Sequence, residues 1–366
     1  MQKGWRVCFL TTPISPLHQL RFHRDPAFRH KQDEWLEGGH FDFDRRLLAY
    51  TPYTTLPASR LPGLRSTWVL RNWWRFCRPD PVAVLERRGF ARPDVMIMDT
   101  PVLGAVWERL RRPRLFYRVV DLNDQHPNSS PALADEERRL ARLAETVIYT
   151  SEVLEPYVVT LGARSSICVP TGVDVGHFAA VQPEPEDLAA LPGPRAIFVG
   201  TIAEWFDAEL LRSAAERLPD VSFVLVGPRI GNAPPIPRLP NVHVLGARSY
   251  AHIPGYLQHC DVGLIPFRRG PLGSFVDAIN PLKLYEYLAA GLPVVASRSE
   301  HLMRLDSPAV LCSNQDEFAA AIERACKAPK PVAGLRAFAS SCDWSQRFAR
   351  LDALLDSQGD QSLGGN

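Results

Sequence analysis

The sequence predicts an α/β protein made of two Rossmann-like domains, and two observations lead to this fold class. Short apolar runs that are typical of buried strands alternate with amphipathic helical segments, which is the pattern of parallel β-α-β units. A proline-rich stretch interrupts this pattern before residue 195, and the pattern then begins again. A chain of 366 residues, 46% of them hydrophobic, is long enough for two such domains.

The domain limits follow from where the periodicity stops and restarts. We predict an N-terminal domain at 1–175, a linker at 176–194 and a second Rossmann-like domain at 195–343. A further amphipathic helix is expected at 344–355, and the polar residues 356–366 are expected to be disordered.

The predicted elements of the first domain begin near the amino end of the chain. A strand at Arg6–Thr11 leads into a loop of threonine, serine and proline, at a position where α/β folds build ligand sites. Further strands are predicted at Val95–Asp99, Leu115–Val120, Thr146–Thr150 and Ser166–Val169, and helices at Val102–Arg111, Asp135–Glu145 and Val153–Leu161. Residues 20–95 are irregular by pattern.

The second domain repeats the alternation without repeating the sequence. Strands are predicted at Ala196–Gly200, Ser222–Gly227, Val242–Gly246, Val262–Pro266 and Val294–Ala296, and helices at Ala208–Leu218, His252–His259, Leu282–Ala290 and Trp344–Leu355. Neither domain contains Gly-x-Gly-x-x-Gly or a Walker A pattern, which argues against a dehydrogenase and an ATPase.

The helix at Leu282–Ala290 has the features of an anion site. Asn280 is predicted as its N-cap and Pro281 as its first residue. Lys283 then lies in the first turn, where the helix dipole disfavours a cation unless an anion is near. A phosphate over the free amides would supply that anion, and Glu286, one turn later, would accept hydrogen bonds from sugar hydroxyls. The alternative is an ordinary surface ion pair between Lys283 and Glu286.

Charge is distributed unevenly although the net charge is only +2. Between residues 45 and 118 there are 15 arginines, no lysine and 5 acidic residues, a net charge of +10 that suggests an anionic partner. Tryptophans alternate with arginines in one part of this region, at Arg65, Trp68, Arg71, Trp73, Trp74 and Arg75. We interpret this segment as an interfacial membrane helix; nucleic-acid binding and ordinary packing are the alternatives.

Cysteine usage and hydropathy point to a cytoplasmic protein. The seven cysteines are scattered and form no Cys-x-x-Cys pair, so neither a zinc site nor a disulfide framework is expected. No apolar stretch approaches the roughly 20 residues of a membrane span, and the amino end carries no cleavage pattern.

Three sequence runs carry a resemblance to a known family. PLKLYEYLAAGLPVVAS, DVGLIPF and NVHVLGARSY are similar to the nucleotide-binding half of GT-B glycosyltransferases that build bacterial surface polysaccharides, of the family 4-like or glucuronosyltransferase-like type. The resemblance implies two domains that face each other across a cleft, with the C-terminal helix crossing back to the first domain. It also implies a donor site formed by Gly200, Glu204, Trp205, Arg229, Gly246, Tyr250, Asn280, Pro281, Lys283 and Glu286.

Within this set, the resemblance implies that Glu286 binds the donor ribose and that the loop after Gly246 binds the nucleobase, with Tyr250 near the base. For Tyr250, core packing is the alternative. The sequence departs from the family in two ways. The loop after Gly200 lacks the usual arginine and lysine, so Lys283 must neutralise the diphosphate, aided by Arg229, Arg268 or Arg269. Ala278 also stands where many relatives have a glutamate, beside Asp277. Asp207 is either an N-cap or a ligand.

A carboxylate is expected to take the proton of the attacking hydroxyl. Asp121 follows the strand at Leu115–Val120 and matches the base of inverting relatives, with Asp124 and His126 in reserve; the alternative is that Asp121 only caps its loop.

The function expected from these features is sugar transfer from a UDP-sugar to a polyprenyl-diphosphate-linked glycan. Because Lys283 and the start of its helix would neutralise the diphosphate, the reaction is expected to need neither metal nor cofactor. The protein would be cytoplasmic, peripheral at the inner membrane face, and without a nucleic-acid partner. A UDP-sugar 2-epimerase of the same fold and a non-catalytic sugar-binding protein with two lobes are the alternatives.

Overall fold

The computed structural model describes residues 4–22, 26–57, 63–125, 129–268 and 272–356. Within these ranges the chain divides into two compact units. The first comprises Met1–Tyr149 and Leu154–Ile167, and the second comprises Thr150–Val153 and Cys168–Asn366. The division therefore falls eight residues before the predicted limit of the first domain.

The first unit contains two sheets among its described residues. Its strands are β1 (Val7–Leu10), β2 (His40–Asp42), β3 (Leu47–Tyr50), β4 (Val95–Met98), β5 (Arg114–Val119), β6 (Thr146–Tyr149) and β7 (Ser166–Cys168). Its helices are α1 (Pro16–Phe22), α2 (Pro26–Leu36), α3 (Thr67–Asn72), α4 (Pro81–Arg87), α5 (Gly104–Arg109), α6 (Pro131–Leu143) and α7 (Glu155–Leu161). The sheets have the orders β1-β3-β2 and β4-β5-β6-β7, and the second is parallel at β4-β5 and β5-β6.

The strands from β4 onward confirm the predicted β-α-β pattern of this unit. Residues 20–95 contain helices and two short strands that the sequence did not predict. The reason is visible in α2, whose residues 29–34 are all polar or charged and show no apolar stripe. Strands of three and four residues, such as β2 and β3, are likewise too short to show an alternation.

The second unit is built on one six-stranded sheet of order β10-β9-β8-β11-β12-β13. Its strands are β8 (Arg195–Val199), β9 (Ser222–Val226), β10 (Val242–Gly246), β11 (Val262–Ile265), β12 (Val294–Ser297) and β13 (Val310–Cys312). Its helices are α8 (Val175–Ala179), α9 (Glu186–Ala189), α10 (Ala208–Arg217), α11 (Ile253–Gln258), α12 (Gly273–Ala278), α13 (Leu282–Ala290), α14 (Glu300–Arg304), α15 (Gln315–Lys327), α16 (Val332–Ser341) and α17 (Trp344–Asp356). Every pairing in this sheet is parallel.

Parallel strands are buried on both faces, and the central strands of this sheet follow that rule. All residues of β9, β11 and β12 are buried, and α10 and α15 contribute to the same apolar core. Helix α13 packs on β11, where a side chain at Gly263 would meet the Tyr287 ring at 2.4 Å. The hydroxyl of Tyr287 also accepts the amide of Val199 at 2.6 Å, which ties α13 to the end of β8.

The predicted linker at 176–194 is in fact packed on the second unit. Helix α8 contacts α13, and the side-chain amide of Gln258 donates to the carbonyl oxygens of Phe178 and Ala180 at 2.9 and 2.7 Å. Asp187 on α9 accepts hydrogen bonds from Arg248 and Tyr256. The prolines of this stretch suggested an extended chain because these long-range partners leave no local signal.

The predicted helix at 344–355 is confirmed as α17, which includes Asp356. Its first residue is held by the second unit, since the Trp344 amide donates to the Val173 carbonyl at 3.0 Å. That this helix crosses back to the first domain stays a prediction. Of the predicted tail, 357–366 lies outside the described residues.

Candidate functional site

Three glycines form the carboxyl edge of the second unit's sheet. Gly200 follows β8, Gly227 follows β9 and Gly246 ends β10. The Gly200 amide donates to Val226 O and the Gly227 amide to Gly246 O, each at 2.9 Å. Gly227 has φ +145°, and a Cβ there would lie 2.0 Å from Gly200 O. Glycine at 227 therefore lets its backbone pack against Gly200, so that the ends of β8 and β9 lie close together at the carboxyl edge, where α/β sheets bind ligands.

Lys283 lies beside this edge. A Cβ added at Gly200 would lie 3.2 Å from the Lys283 ammonium, which sits over the rings of Phe198 and Phe267 at 5.0 and 5.6 Å. Burial lowers the pKa of Lys283 to about 8, against a smaller opposing effect of Glu286. No carboxylate among the described residues bonds this ammonium, so the site holds a desolvated cation that lacks an anion.

The start of α13 differs from the prediction in a way that favours anion binding. Asn280 is not the N-cap, because its amide nitrogen donates to Thr150 O at 2.8 Å and its oxygen accepts from the Tyr285 hydroxyl at 2.9 Å. Pro281 is the N-cap rather than the first helical residue, and it has no side-chain bond to offer. The first amides of α13 are therefore left without a side-chain cap, next to Lys283.

Glu286 and Tyr250 lie on the same side of the unit. Burial raises the pKa of Glu286, while Lys283 and His177 lower it. Burial and the charge of Glu286 raise the pKa of Tyr250 to about 12. The Tyr250 ring is 56% exposed, so it is not a core residue. A planar side chain therefore stands at the glycine edge with much of its surface open.

His177 is a neighbour that the sequence analysis missed. Its ring stacks on Tyr250 at 4.7 Å and 11°, and its Nε2 donates to the Tyr250 carbonyl at 3.1 Å. The edge of the Phe178 ring contacts Tyr250 at 5.5 Å. The only signal in the sequence is Asp174, which caps α8 through the His177 amide at 2.9 Å and so fixes the start of that helix.

The other predicted donor residues build the loops around the edge. Glu204 accepts the Asn232 amide at 3.1 Å, and Arg229 donates to Pro234 O at 3.0 Å. The Trp205 carbonyl accepts the Arg268 amide at 2.7 Å. Asp207 is the N-cap of α10 and accepts the Leu210 amide at 2.8 Å, so the structure supports a capping role. Arg269 lies outside the described residues.

In the first unit the predicted catalytic carboxylates follow β5. Asp121 is half-buried and Asp124 is exposed. Burial lowers the pKa of Arg118, against the opposing charges of Asp99 and Asp121, so these three groups lie together where β4 and β5 end. The sequence analysis missed Asp99 and Arg118, although both belong to neighbouring strand ends. Asp277, in the second unit, accepts the Glu300 amide at 3.1 Å, and His126 lies outside the described residues.

Comparison with known proteins relates this geometry to a family. Residues 193–328 match the family model described as Glycosyl transferases group 1. The matched range contains the glycine edge, Lys283 and Glu286. The matched range lies within the second unit.

Two curated relatives are similar to parts of this chain. TuaH of Bacillus subtilis, a glycosyltransferase whose name assigns it provisionally to teichuronic acid biosynthesis, is 32% identical over 184 residues, 48% of this chain and 45% of TuaH. The UDP-glucuronate:glycolipid 2-beta-glucuronosyltransferase of Xanthomonas campestris pv. campestris is 24% identical over 237 residues, 65% of this chain and 57% of the relative. The chain thus spans about half the length of these curated relatives.

The likeness to solved structures covers nearly the whole chain and concerns the fold. Sucrose-phosphate synthase of Thermosynechococcus elongatus has a TM-score of 0.67 at 18% identity, covering 97% of this chain and 90% of its own. HepE of Anabaena, in complex with UDP and glucose, has a TM-score of 0.65 at 17% identity, covering 96% and 99%. The chain has the GT-B fold of these proteins.

The tryptophan- and arginine-rich segment beside this fold is largely packed. The prediction of membrane contact for Trp73 is wrong, because Trp73 is completely buried with its indole donating to Val102 O at 2.9 Å. Arg71 pairs with buried Glu136 at 2.9 Å, but its side chain is 46% exposed and its membrane contact stays a prediction. Trp74 is half-buried under the Arg109 guanidinium at 4.0 Å. Helix α3 passes into a 3₁₀ turn at Trp73–Phe76, in which Trp73 is buried.

What remains of this surface is smaller than predicted. Trp68 is 56% exposed, and Arg65 and Arg75 are exposed beside it in the sequence. None of the helices in the described ranges is long and apolar enough to cross a membrane. The described residues also contain no group of three His, Cys, Asp or Glu side chains that could hold a metal ion, and metal independence stays a prediction.

Proposed function

We propose that the protein is a glycosyltransferase whose second unit binds a UDP-sugar donor. The observation that carries the proposal is the desolvated Lys283 ammonium, which lies beside Gly200 and the uncapped start of α13 without a carboxylate partner. An anion with several oxygens, such as a diphosphate, matches this combination of a cation and free amides. The solved HepE structure that holds UDP and glucose supports UDP as the nucleotide.

In this proposal each group of the site has a role in sugar transfer. The diphosphate lies over the Gly200–Gly227 edge. When UDP leaves, its diphosphate gains negative charge, and Lys283 stabilises that charge. Glu286 accepts hydrogen bonds from donor hydroxyls, and Tyr250 offers its open ring face to the base. Gly246 and the residues that build the surrounding loops fix the shape of the site.

The chemistry of the proposed transfer requires a proton acceptor. An acceptor hydroxyl oxygen forms a bond to the anomeric carbon, while the bond from that carbon to the diphosphate oxygen breaks and UDP leaves with the electron pair. The hydroxyl proton must move to a base. In an inverting reaction Asp121 takes it, because Asp121 is partly withdrawn from water, whereas exposed Asp124 is the reserve.

Titration with UDP tests the donor site. Lys283→Ala and Glu286→Ala are each expected to weaken UDP binding by about 10- to 100-fold, because each removes a charged hydrogen-bond partner. Lys327→Ala is the matched control, since Lys327 is an exposed lysine that pairs with Glu323 on α15. Unchanged UDP affinity in both site variants, with the thermal midpoint preserved, would refute the assignment.

We further propose a lipid-linked glycan as the acceptor, of the polyprenyl-diphosphate type, used by a protein that is peripheral at the cytoplasmic membrane face. The name of the Xanthomonas relative supports a lipid-linked acceptor through its glycolipid substrate, and the name of TuaH supports a role in polysaccharide synthesis. The exposed Trp68 with Arg65 and Arg75 offers a surface for such a membrane.

A further inference from the structure

Helix α6 places two adjacent carboxylates in the interior of the first unit. Glu136 is 2% exposed and Glu137 is completely buried. Glu136 pairs with Arg71 at 2.9 Å and also with Arg139. Glu137 has no such compensation, since no arginine or lysine of the described ranges pairs with it. A buried carboxylate without a cation is unfavourable unless neutral donors satisfy it, so its partners are informative.

Three neutral donors converge on Glu137. Oε1 accepts the Tyr117 hydroxyl at 3.1 Å and the Asn123 side-chain amide at 2.7 Å. Oε2 accepts the Tyr157 hydroxyl at 2.6 Å. These donors come from β5, from the loop after β5 and from α7, so one carboxylate joins three parts of the unit. Burial raises the pKa of Glu137, and the nearby charge of Asp124 acts in the same direction.

Asn123 makes this network relevant to the reaction. It lies between Asp121 and Asp124, in a turn closed by the Gln125 amide donating to Leu122 O at 3.0 Å. The bond from Asn123 to Glu137 is therefore a fixed point in the middle of the loop that carries both predicted catalytic carboxylates. A loop without such an anchor samples many conformations, and a small misplacement of a base slows proton transfer.

The anchor lies beside open space rather than in a sealed core. A cavity of about 140 Å³ is lined by Asn123 and Glu137 together with Thr100, Val102, Ser129 and Leu133. The Asn123–Glu137 bond therefore lies at the wall of this cavity, where it joins the loop at 121–125 to helix α6.

We propose that Glu137 is a positioning residue for sugar transfer: by holding Asn123 it fixes the loop that presents Asp121 and Asp124. The inference rests on the proposed function, in which Asp121 is the base. It concerns a residue that touches neither donor nor acceptor and that acts through Asn123.

Three variants separate positioning from folding. Glu137→Leu removes the acceptor, and Asn123→Ala removes the donor of the same bond. Glu137→Gln retains one oxygen that can accept from Tyr117 and Asn123, while its amide donates to the Tyr157 hydroxyl, so it should rescue the anchor. Arg139→Ala is the matched control, because it disturbs the neighbouring carboxylate Glu136 on the same helix but leaves Asn123 in place.

Hydrogen exchange on the full chain is the first measurement. Amides of the loop at 121–125 should exchange about tenfold faster in Glu137→Leu and Asn123→Ala, and at the wild-type rate in Glu137→Gln and Arg139→Ala. The second measurement is release of UDP from UDP-glucuronate or UDP-glucose in water, where water takes the place of the acceptor hydroxyl. Turnover should fall about tenfold in the first two variants while UDP affinity stays unchanged.

The outcomes distinguish this inference from the proposed function. Unchanged exchange at 121–125 in both Glu137→Leu and Asn123→Ala would overturn the inference, whether or not UDP binds. Faster exchange without slower turnover would also overturn it, since Glu137 would then be structural only. If Glu137→Leu fails to fold, Asn123→Ala and Glu137→Gln decide the matter. A wild-type protein that does not bind UDP would refute the proposed function instead, and the exchange data would still report on the loop.

Discussion

At the scale of single residues, Lys283 shows how the fold prepares a site for an anion. Its ammonium is held over two aromatic rings, Phe198 and Phe267, which stabilise a cation less well than water or a carboxylate does. Burial accordingly lowers its pKa to about 8. An incoming diphosphate would supply the missing charge and raise that pKa again.

This gives a pH dependence with a definite sign. Below pH 8 the free protein carries the charged ammonium, and UDP binds without a change in protonation. Above pH 8 the free ammonium has lost its proton, so binding must take up a proton and UDP affinity should fall by about tenfold per pH unit. A titration series from pH 7 to 9.5 should show an overall loss on the order of 30-fold.

The neighbouring groups do not produce the same profile. Tyr250 does not lose its proton in the tested range, because burial raises its pKa to about 12. Lys283→Arg keeps its charge to pH 9.5 and should bind UDP equally at all these pH values. A wild-type affinity that is flat from pH 7 to 9.5 would contradict the assignment of Lys283 to the diphosphate.

At the scale of elements, the ends of β8, β9 and β10 are constrained by one close backbone contact. Gly227 and Gly200 approach so closely that a methyl group at Gly227 would overlap Gly200 O at 2.0 Å, in a backbone conformation that other residues rarely adopt. Because the obstacle is backbone, no side chain can rotate away to make room. The glycine edge and the strand ends must shift together.

Gly227→Ala should therefore destabilise the second unit by at least about 2 kcal/mol, lowering its thermal midpoint by roughly 4–8 °C, and should weaken UDP binding. Gly334→Ala is the control, since Gly334 lies in α16 with nothing within 4 Å of an added Cβ. That change should raise the midpoint slightly, because alanine favours a helix by about 1 kcal/mol over glycine. An equal midpoint for the two variants would show that the strand ends are not constrained as described.

The same strand ends explain what the sequence could predict. Buried parallel strands are continuous apolar runs that end at glycine, so the prediction of Ala196–Gly200 differs from the observed Arg195–Val199 by one residue at each end. Lys283 and Glu286 were singled out because they lie in the helix between two such strands, β11 and β12, and their role stays a prediction. These signals are local in sequence.

The failures share the opposite cause, since they depend on partners far away in the chain. Asn280 has the sequence context of an N-cap, yet its amide bonds Thr150, 130 residues away. Trp73 has arginines near it in the sequence, which is typical of a surface segment, yet its indole donates a hydrogen bond to the Val102 carbonyl. Asp187 belongs to a stretch predicted as linker, yet it pairs with Arg248. A single sequence without related sequences carries no record of these pairs.

At the scale of the whole molecule, the excess of arginine in the first unit is only partly explained by its interior. Arg71, Arg109 and Arg114 have acidic partners within the unit. Arg65 and Arg75 are exposed near Trp68, which is itself 56% exposed. An exposed tryptophan flanked by cations is typical of a surface that meets the headgroup region of an anionic bilayer.

If this surface binds the membrane, the protein should cosediment with vesicles that contain anionic lipid and should be released by salt, because exposed charges are screened beyond about 10 Å at 0.1 M ionic strength. Each of Arg65→Ala and Arg75→Ala should weaken vesicle binding about fivefold, which corresponds to roughly 1 kcal/mol for each basic residue near the surface. Trp68→Ala should weaken it at any salt concentration, since its contribution is apolar burial. Phe348→Ala, which removes an aromatic side chain that is 53% exposed on α17, is the control. Binding to neutral vesicles as strong as to anionic ones, or equal binding by all four variants, would rule out this surface as the membrane contact.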